Sequence, residues 1–363
     1  MKKLIMILFA SIMMMATLVA CAPAVQTVDV GIVLPTRDEP RWIQDEERFR
    51  EALEGTDFSV EILFSQGSTA TELANVETLL AKGIQVLIIT AQDGAAAAAA
   101  VEKAKAEGVT VIAYDRLITN TNAVDYYVTF DSIAVGEAKG QFLVDQATGT
   151  GNPLYLYAGA ATDNNAFLFF EGAWNVLQPK IADGTFVIKN SSEAVNLAAK
   201  ATLTRAEMSA ILGQITTNWD FNTAKNLAES HLTAAADADK GDVFILAPND
   251  GTARAIADAF AADSAVTSFK ITGQDAEKAS VQYILDGIQS MTVFKDVRTL
   301  ASDAIAMAVR VLEGSTPQTT GSVNNGSRDV PTKQTDVVVV TLENVRSALI
   351  DTGFFLESDF TFR

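Results

Sequence analysis

The chain has one cysteine and one histidine in 363 residues, and each scarcity removes a class of explanation. A single thiol closes no intramolecular disulfide, so core burial alone must hold the fold. The lone His231 sits near Glu229 with no further ligands around it, which is too little for a metal site. Basic clusters are missing too: 27 Lys and Arg stand against 45 Asp and Glu, a net charge of −18. So acidic a surface is repelled by phosphate backbones, which excludes nucleic acid as a partner. Gly94 is followed by six alanines, not by the spaced glycines and lysine that cradle a phosphate. Beyond the first twenty residues there is no apolar run long enough to span a bilayer.

What is present begins at the N-terminus. Lys2 and Lys3 precede an almost unbroken apolar stretch over residues 4–19, and the stretch ends in Leu18-Val19-Ala20-Cys21. This is the pattern of a secretory signal over residues 1–20 with a lipobox at its end. The Cys21 thioether is expected to carry a diacylglycerol, and residues 21–27 to form a tether at the outer face of a membrane. The rival, a transmembrane helix, is disfavoured by the short, Met-rich segment and its small-residue end. Removing residues 1–20 takes away two lysines and no acid, so the mature charge becomes −20. The roughly 340 residues that remain exceed what one core organises, so two domains are expected.

Strand-like runs without polar alternation, at residues 26–35, 58–64, 85–91 and 109–114, alternate with helical patterns at 42–53, 68–82 and 95–107. Such runs mark parallel strands covered on both faces. A second unit of the same kind begins near Asp131. Its strands are expected at 153–158, 185–189, 242–246, 268–272 and 291–294. Its helices are expected at 132–148, 164–180, 220–232, 252–260 and 277–286. A helix at 297–312 and a late strand at 337–340 follow. The fold class is α/β, two doubly wound parallel-sheet units in tandem. Residues 193–214 interrupt this order with an amphipathic helix near 204–212, read as a tolerated surface insertion in preference to a partner-docking element.

Ligands of open α/β sheets collect at the carboxyl ends of the strands. Those ends carry Arg41-Trp42, Asp115-Arg116, Asp163-Asn164-Asn165, Asn249-Asp250, Gln274-Asp275 and Lys295-Asp296. Carboxylates, amides and cations fork onto vicinal hydroxyls, and an indole covers the apolar face of a sugar ring. The inventory suits a polyol. Asp163 also reads as the N-cap of the next helix, and Asp250 as the cap of its own, with Asn249 facing the ligand. By contrast Phe167, Phe170, Trp174 and Leu177 recur at helical spacing and read as core.

Pro35-Thr36-Arg37, Arg41-Trp42, Ala113-Tyr114-Asp115-Arg116, Tyr127-Val128-Thr129-Phe130-Asp131, Asp163-Asn164-Asn165-Ala166, Gly273-Gln274-Asp275-Ala276 and Met291-Thr292-Val293-Phe294-Lys295 occur in order. Together they resemble the periplasmic sugar-binding proteins of ABC importers, in the D-xylose-binding and multiple-sugar-binding branch of the type I fold. The likeness runs from about residue 28 to residue 360. It implies two lobes joined by three crossovers, near residues 128–131, 295–297 and 328–331. The N-terminal lobe would be residues 28–128 plus 297–328, and the C-terminal lobe 131–295 plus 331–363. It implies ligand contacts from Arg41, Trp42, Asp115 and Arg116 on the first lobe, and from Asn165, Trp219, Asn249, Asp275 and Lys295 on the second lobe and hinge. It implies no cofactor, no metal and no catalysis, and the calcium loop of the glucose/galactose branch has no counterpart. The partners implied are a monosaccharide, the permease of an ABC importer, and a chemoreceptor as a second reader of the closed form. Nucleosides, cyclitols and furanosyl signals are alternative ligands of the same fold. A repressor would need a basic N-terminal helix-turn-helix, and a glycoside hydrolase a working carboxylate pair.

Overall fold

The computed structural model describes residues 27–362; the expected signal sequence over residues 1–20 and Cys21 lie outside them. The first half runs β1 (Val30–Leu34), α1 (Pro40–Leu53), β2 (Val60–Phe64), α2 (Thr69–Ala81), β3 (Val86–Ile89), α3 (Ala98–Ala106), β4 (Thr110–Tyr114) and β5 (Tyr126–Phe130). Next come α4 (Ser132–Gln146), β6 (Asn152–Leu156), α5 (Asn164–Ala182), β7 (Phe186–Ile188), α6 (Ser192–Asn196), α7 (Arg205–Ile215) and α8 (Phe221–Ala234). The chain continues through β8 (Gly241–Leu246), α9 (Asp250–Ala262), β9 (Val266–Ile271), α10 (Lys278–Leu285) and β10 (Met291–Phe294). It ends with α11 (Val297–Leu312), β11 (Gly321–Asn324), β12 (Asp329–Thr335) and β13 (Val338–Thr341).

The unbroken apolar runs are strands with two faces to cover. In β1, Val30, Ile32 and Leu34 join Trp42 and Phe49 of α1 and Leu300, Ala304 and Ala308 of α11 in one core. Val33 points the other way, into a second core with Leu79 of α2 and Val101 of α3. The first lobe is a seven-stranded sheet in the order β11-β12-β5-β4-β3-β1-β2, parallel except for the β11–β12 hairpin. The second lobe holds a parallel sheet in the order β7-β6-β8-β9 and an antiparallel pair, β10–β13. A parallel bridge between Gln274 and Val293 joins the two parts. This is the expected two-lobed α/β architecture. Within the second lobe α4 and α5 approach closely because glycines face the contact: a Cβ on Gly136 would stand 2.1 Å from the Phe169 carbonyl oxygen.

Three differences from the sequence reading have physical causes. Residues 126–130 form a strand, β5, not merely a crossing. Residues 329–335, whose start was expected at the third crossover, pair with β5 from Thr332–Tyr127 to Thr335–Phe130. The last crossing therefore follows Thr335. An open β5 edge needs a partner, and β12 supplies it while burying only Val330 and Thr332. The third correction concerns residues 193–214, which are not a surface ornament. Met208, Ile211, Leu212 and Ile215 of α7 are buried in the same core as Trp174 and Leu177. A capping box of Thr204 and Glu207 starts that helix. The Phe167–Leu177 stripe is core, as expected.

Candidate functional site

Arg41 enters at the first turn of α1, behind Pro40, and is 3% exposed. Its guanidinium is shared among three carboxylates: Nε to Asp45 at 2.5 Å, Nη2 to Asp115 at 2.9 Å and Nη1 to Asp275 at 3.3 Å. Tyr114 donates to Asp45 from below, so the arginine is held from its own helix and from β4 together. Burial alone would raise the Asp115 carboxyl, but Arg41, Lys295 and Arg116 outweigh it and hold the group below its ordinary value. Arg116 donates to the Ala91 carbonyl at 3.2 Å and pairs with Glu39 at 3.5 Å and Asp163 at 3.1 Å. Burial pushes the Glu39 and Asp163 carboxyls up despite that arginine. Trp42 is 2% exposed, and its Nε1 lies near Glu39 without closing a hydrogen bond.

The second lobe answers from its own strand ends. Asn165 Nδ2 donates to the Asp115 carbonyl at 2.9 Å, and its oxygen accepts from Ser132 Oγ at 3.2 Å. Asp163 caps α5 through the Asn165 N–H at 2.9 Å, as expected, while also pairing with Arg116. Lys295 Nζ pairs with Asp275 at 2.8 Å. The cap of α9 is Asn249, not Asp250. Asn249 has extended backbone and accepts from Thr252 N and Oγ1, whereas Asp250 is already helical. The Asp250 carboxylate turns inward, accepting from Glu277 N–H at 2.9 Å, Gln289 Nε2 at 2.7 Å and Thr292 Oγ1 at 3.0 Å.

Three of these residues hold left-handed backbone: Asp115 at φ 60°, Trp219 at 61° and Asp275 at 98°. Such conformations cost ~1–3 kcal/mol each and persist where surroundings over-determine them. At Asp115 the surroundings are explicit: its carbonyl accepts from Tyr127 Oη at 2.7 Å, Thr129 Oγ1 at 3.1 Å and Asn165. At Trp219 they come from the insertion. The end of α7 bridges to the strand end of β6, with Ala158 N–H to the Ile215 carbonyl at 3.0 Å and Thr217 N–H back to Ala158 at 2.8 Å. Gly159 leaves the space for the indole, since a Cβ there would lie 2.0 Å from the ring.

All nine residues expected from the sequence line one cleft between the lobes. Glu39, Asp163, Phe169 and Gln274 line it as well. Gln274 and Asp163 sit within the strand-end segments already singled out, and Glu39 lies two residues before Arg41 in the loop after β1. Phe169 lies on a helix whose apolar face reads as core, so nothing in the sequence marked it. The lobes are closed on one another by Arg41–Asp275, Arg116–Asp163 and Asn165–Asp115, and at the rim by Gly94 N–H to the Thr162 carbonyl at 3.0 Å. Arg41, Arg116 and Lys295 each already face a carboxylate. The cleft thus offers donors and acceptors in quantity but no uncompensated positive charge for an anion. Among the described residues no group of three or more His, Cys, Asp or Glu side chains could hold a metal ion.

Residues 30–316 match the family described as a periplasmic binding protein domain. The chain is 32% identical to the multiple sugar-binding periplasmic receptor ChvE of Rhizobium radiobacter, covering 98% of each. It is 30% identical to the D-xylose-binding periplasmic protein of Escherichia coli K12, covering 92% of each. Among solved structures, a carbohydrate transporter solute-binding protein from Chloroflexus aurantiacus in complex with D-glucose is 72% identical. The match has a TM-score of 0.91 and covers 93% of this chain and 99% of that one. An ABC transporter solute-binding protein from Clostridium phytofermentans with bound β-D-glucose is 30% identical, with a TM-score of 0.80 over 91% and 99%. The chain belongs to the periplasmic binding protein family, in the branch of the D-xylose-binding and multiple-sugar-binding proteins, and is a binding protein rather than an enzyme.

Proposed function

We propose that this protein captures a monosaccharide of the glucose or xylose type between its lobes and delivers it to the permease of an ABC importer. The observation that carries this reading is the interlobe cleft lined by Arg41, Trp42, Asp115, Arg116, Asn165, Trp219, Asn249, Asp275 and Lys295. Its paired charges and two indoles match the hydroxyls and C–H face of a neutral sugar, and the glucose complex at 72% identity supports the same class. Capture is selection of the closed state, because only that state makes both sets of contacts. Micromolar to sub-micromolar binding corresponds to ~8–10 kcal/mol. Titration calorimetry with D-glucose, D-xylose, D-galactose and L-arabinose, against uridine and myo-inositol, tests the class. Binding of the last two alone would defeat it.

Two further outcomes follow. Trp219→Ala should lose ~1–3 kcal/mol of sugar affinity, the range for a buried aromatic contact, and should shrink the ligand-induced change in tryptophan fluorescence. Unchanged affinity would remove Trp219 from the site. The anchor is part of the same reading: Cys21, lipidated after removal of residues 1–20, tethers the exported protein near its permease. Cys21→Ser should abolish partition into the detergent phase and leave sugar affinity intact; membrane partition of that variant would contradict the anchor.

A further inference from the structure

Lys139 lies on α4 at 2% exposure, outside the cleft lining, and the binding reading above does not use it. Its Nζ reaches two strand ends at once, donating to the Pro248 carbonyl at 3.0 Å and to Gln274 Oε1 at 3.2 Å. Those residues immediately precede Asn249 and Asp275. The same ammonium is 5.0 Å from the centroid of Phe169, a cleft residue whose ring also has Lys295 Nζ at 5.5 Å. Stability does not account for a lysine here. Burying an ammonium against neutral acceptors is costly, and well-packed apolar replacements of buried charges are often neutral or stabilising.

We propose that Lys139 is a positioning residue of the second lobe, its ammonium tying the loops after β8 and β9 together so that Asn249 and Asp275 stand where the sugar needs them. The proposal rests on the monosaccharide reading. Its charge is sensitive to its setting. Lys295 after β10 faces it as a like charge; Asp275 after β9 and Asp250 at the start of α9 face it as opposite charges. Tyr157 after β6 borders the same small cavity, its hydroxyl turned away to His231, and the Phe169 ring of α5 lies beside the ammonium. Burial first, then Lys295, lower its pKa from 10.5 to about 7, against the pull of Asp275 and Asp250. Charge-assisted hydrogen bonds are roughly twice as strong as neutral ones, so sugar affinity should fall as pH rises through that value. Stability should move the other way. Between about 7 and 10.5 the unfolded chain holds this proton and the folded one does not, so this group's contribution to stability rises with pH.

The test is calorimetry with D-glucose on the full chain and on Lys139→Met from pH 6 to pH 9, with thermal melting of both proteins without sugar. The variant should bind roughly tenfold or more weakly at pH 6, as loss of hydrogen bonds from a charged donor implies. It should melt no lower than the unsubstituted protein, and its affinity should no longer vary with pH. A lowered melting temperature with unchanged affinity would mean a purely structural lysine and would overturn the proposal. Should Lys139→Met fail to fold, the unsubstituted protein decides: an affinity constant from pH 6 to pH 9 also overturns it. Failure of the unsubstituted protein to bind any of the four sugars would instead defeat the monosaccharide reading, and this proposal with it.

Discussion

Replacing Arg41 with alanine should weaken sugar binding by about 2–5 kcal/mol, the cost of truncating one partner of a buried, hydrogen-bonded charge set. The size follows from the ion-pair geometry. Arg41 touches Asp45, Asp115 and Asp275, so its removal leaves three buried carboxylates short of a partner. Two belong to the first lobe and one to the second, and the loss is therefore also a loss of coupling between lobes. Small-angle scattering should show the unsubstituted protein shrinking on sugar addition, and Arg41→Ala failing to do so at the same sugar concentration. Calorimetry supplies the affinity. A variant that binds and compacts normally would show that the arginine only braces its own helix.

Leu212→Ala should lower the unfolding free energy by ~2–5 kcal/mol, as for other buried leucines cut to alanine. Leu212 is fully buried beside Ile211 and Ile215. A residue on a surface ornament would change stability by less than about 0.5 kcal/mol, so chemical denaturation separates the two cases. Sugar affinity should fall as well, since the end of α7 seats the β6 strand end and the turn that carries Trp219. A small stability change would return residues 193–214 to the status of a decoration.

Much of this architecture was legible because strands covered on both faces cannot alternate: Ile88 and Leu87 are both fully buried, and the run reads as a strand at sight. β12 gave no such signal, because Asp329–Thr335 sits beside an exposed hairpin strand and buries only two side chains. The strand-end rule singled out eight of the nine residues that meet in the cleft; Trp219, which follows the insertion, came only from the family resemblance. The rule could not separate Asn249 from Asp250, since both are competent caps and only backbone conformation decides which one is the cap. Nor could it find Asp45, Lys139 or Glu72. A charged residue on a helix reads as solvent-facing, yet these three are 0%, 2% and 1% exposed. Their burial depends on partners far along the chain: Tyr114 for Asp45, Gln274 for Lys139, the Gln92 N–H for Glu72.

The threading of the first lobe bears on how the chain acquires its structure. Ile32, Ile88 and Ile112 line the sheet face that α11 covers, and β5 finds its outer neighbour only in β12. Everything needed for the second sheet is synthesised before either covering segment exists. The first lobe therefore cannot close its core on its own first stretch of chain. Its completion waits for contacts such as Phe130 with Thr335, whose large sequence separation makes them slow to form. An exported protein built this way keeps its N-terminal half incomplete, and so easier to hold unfolded, until nearly the whole polypeptide has been made.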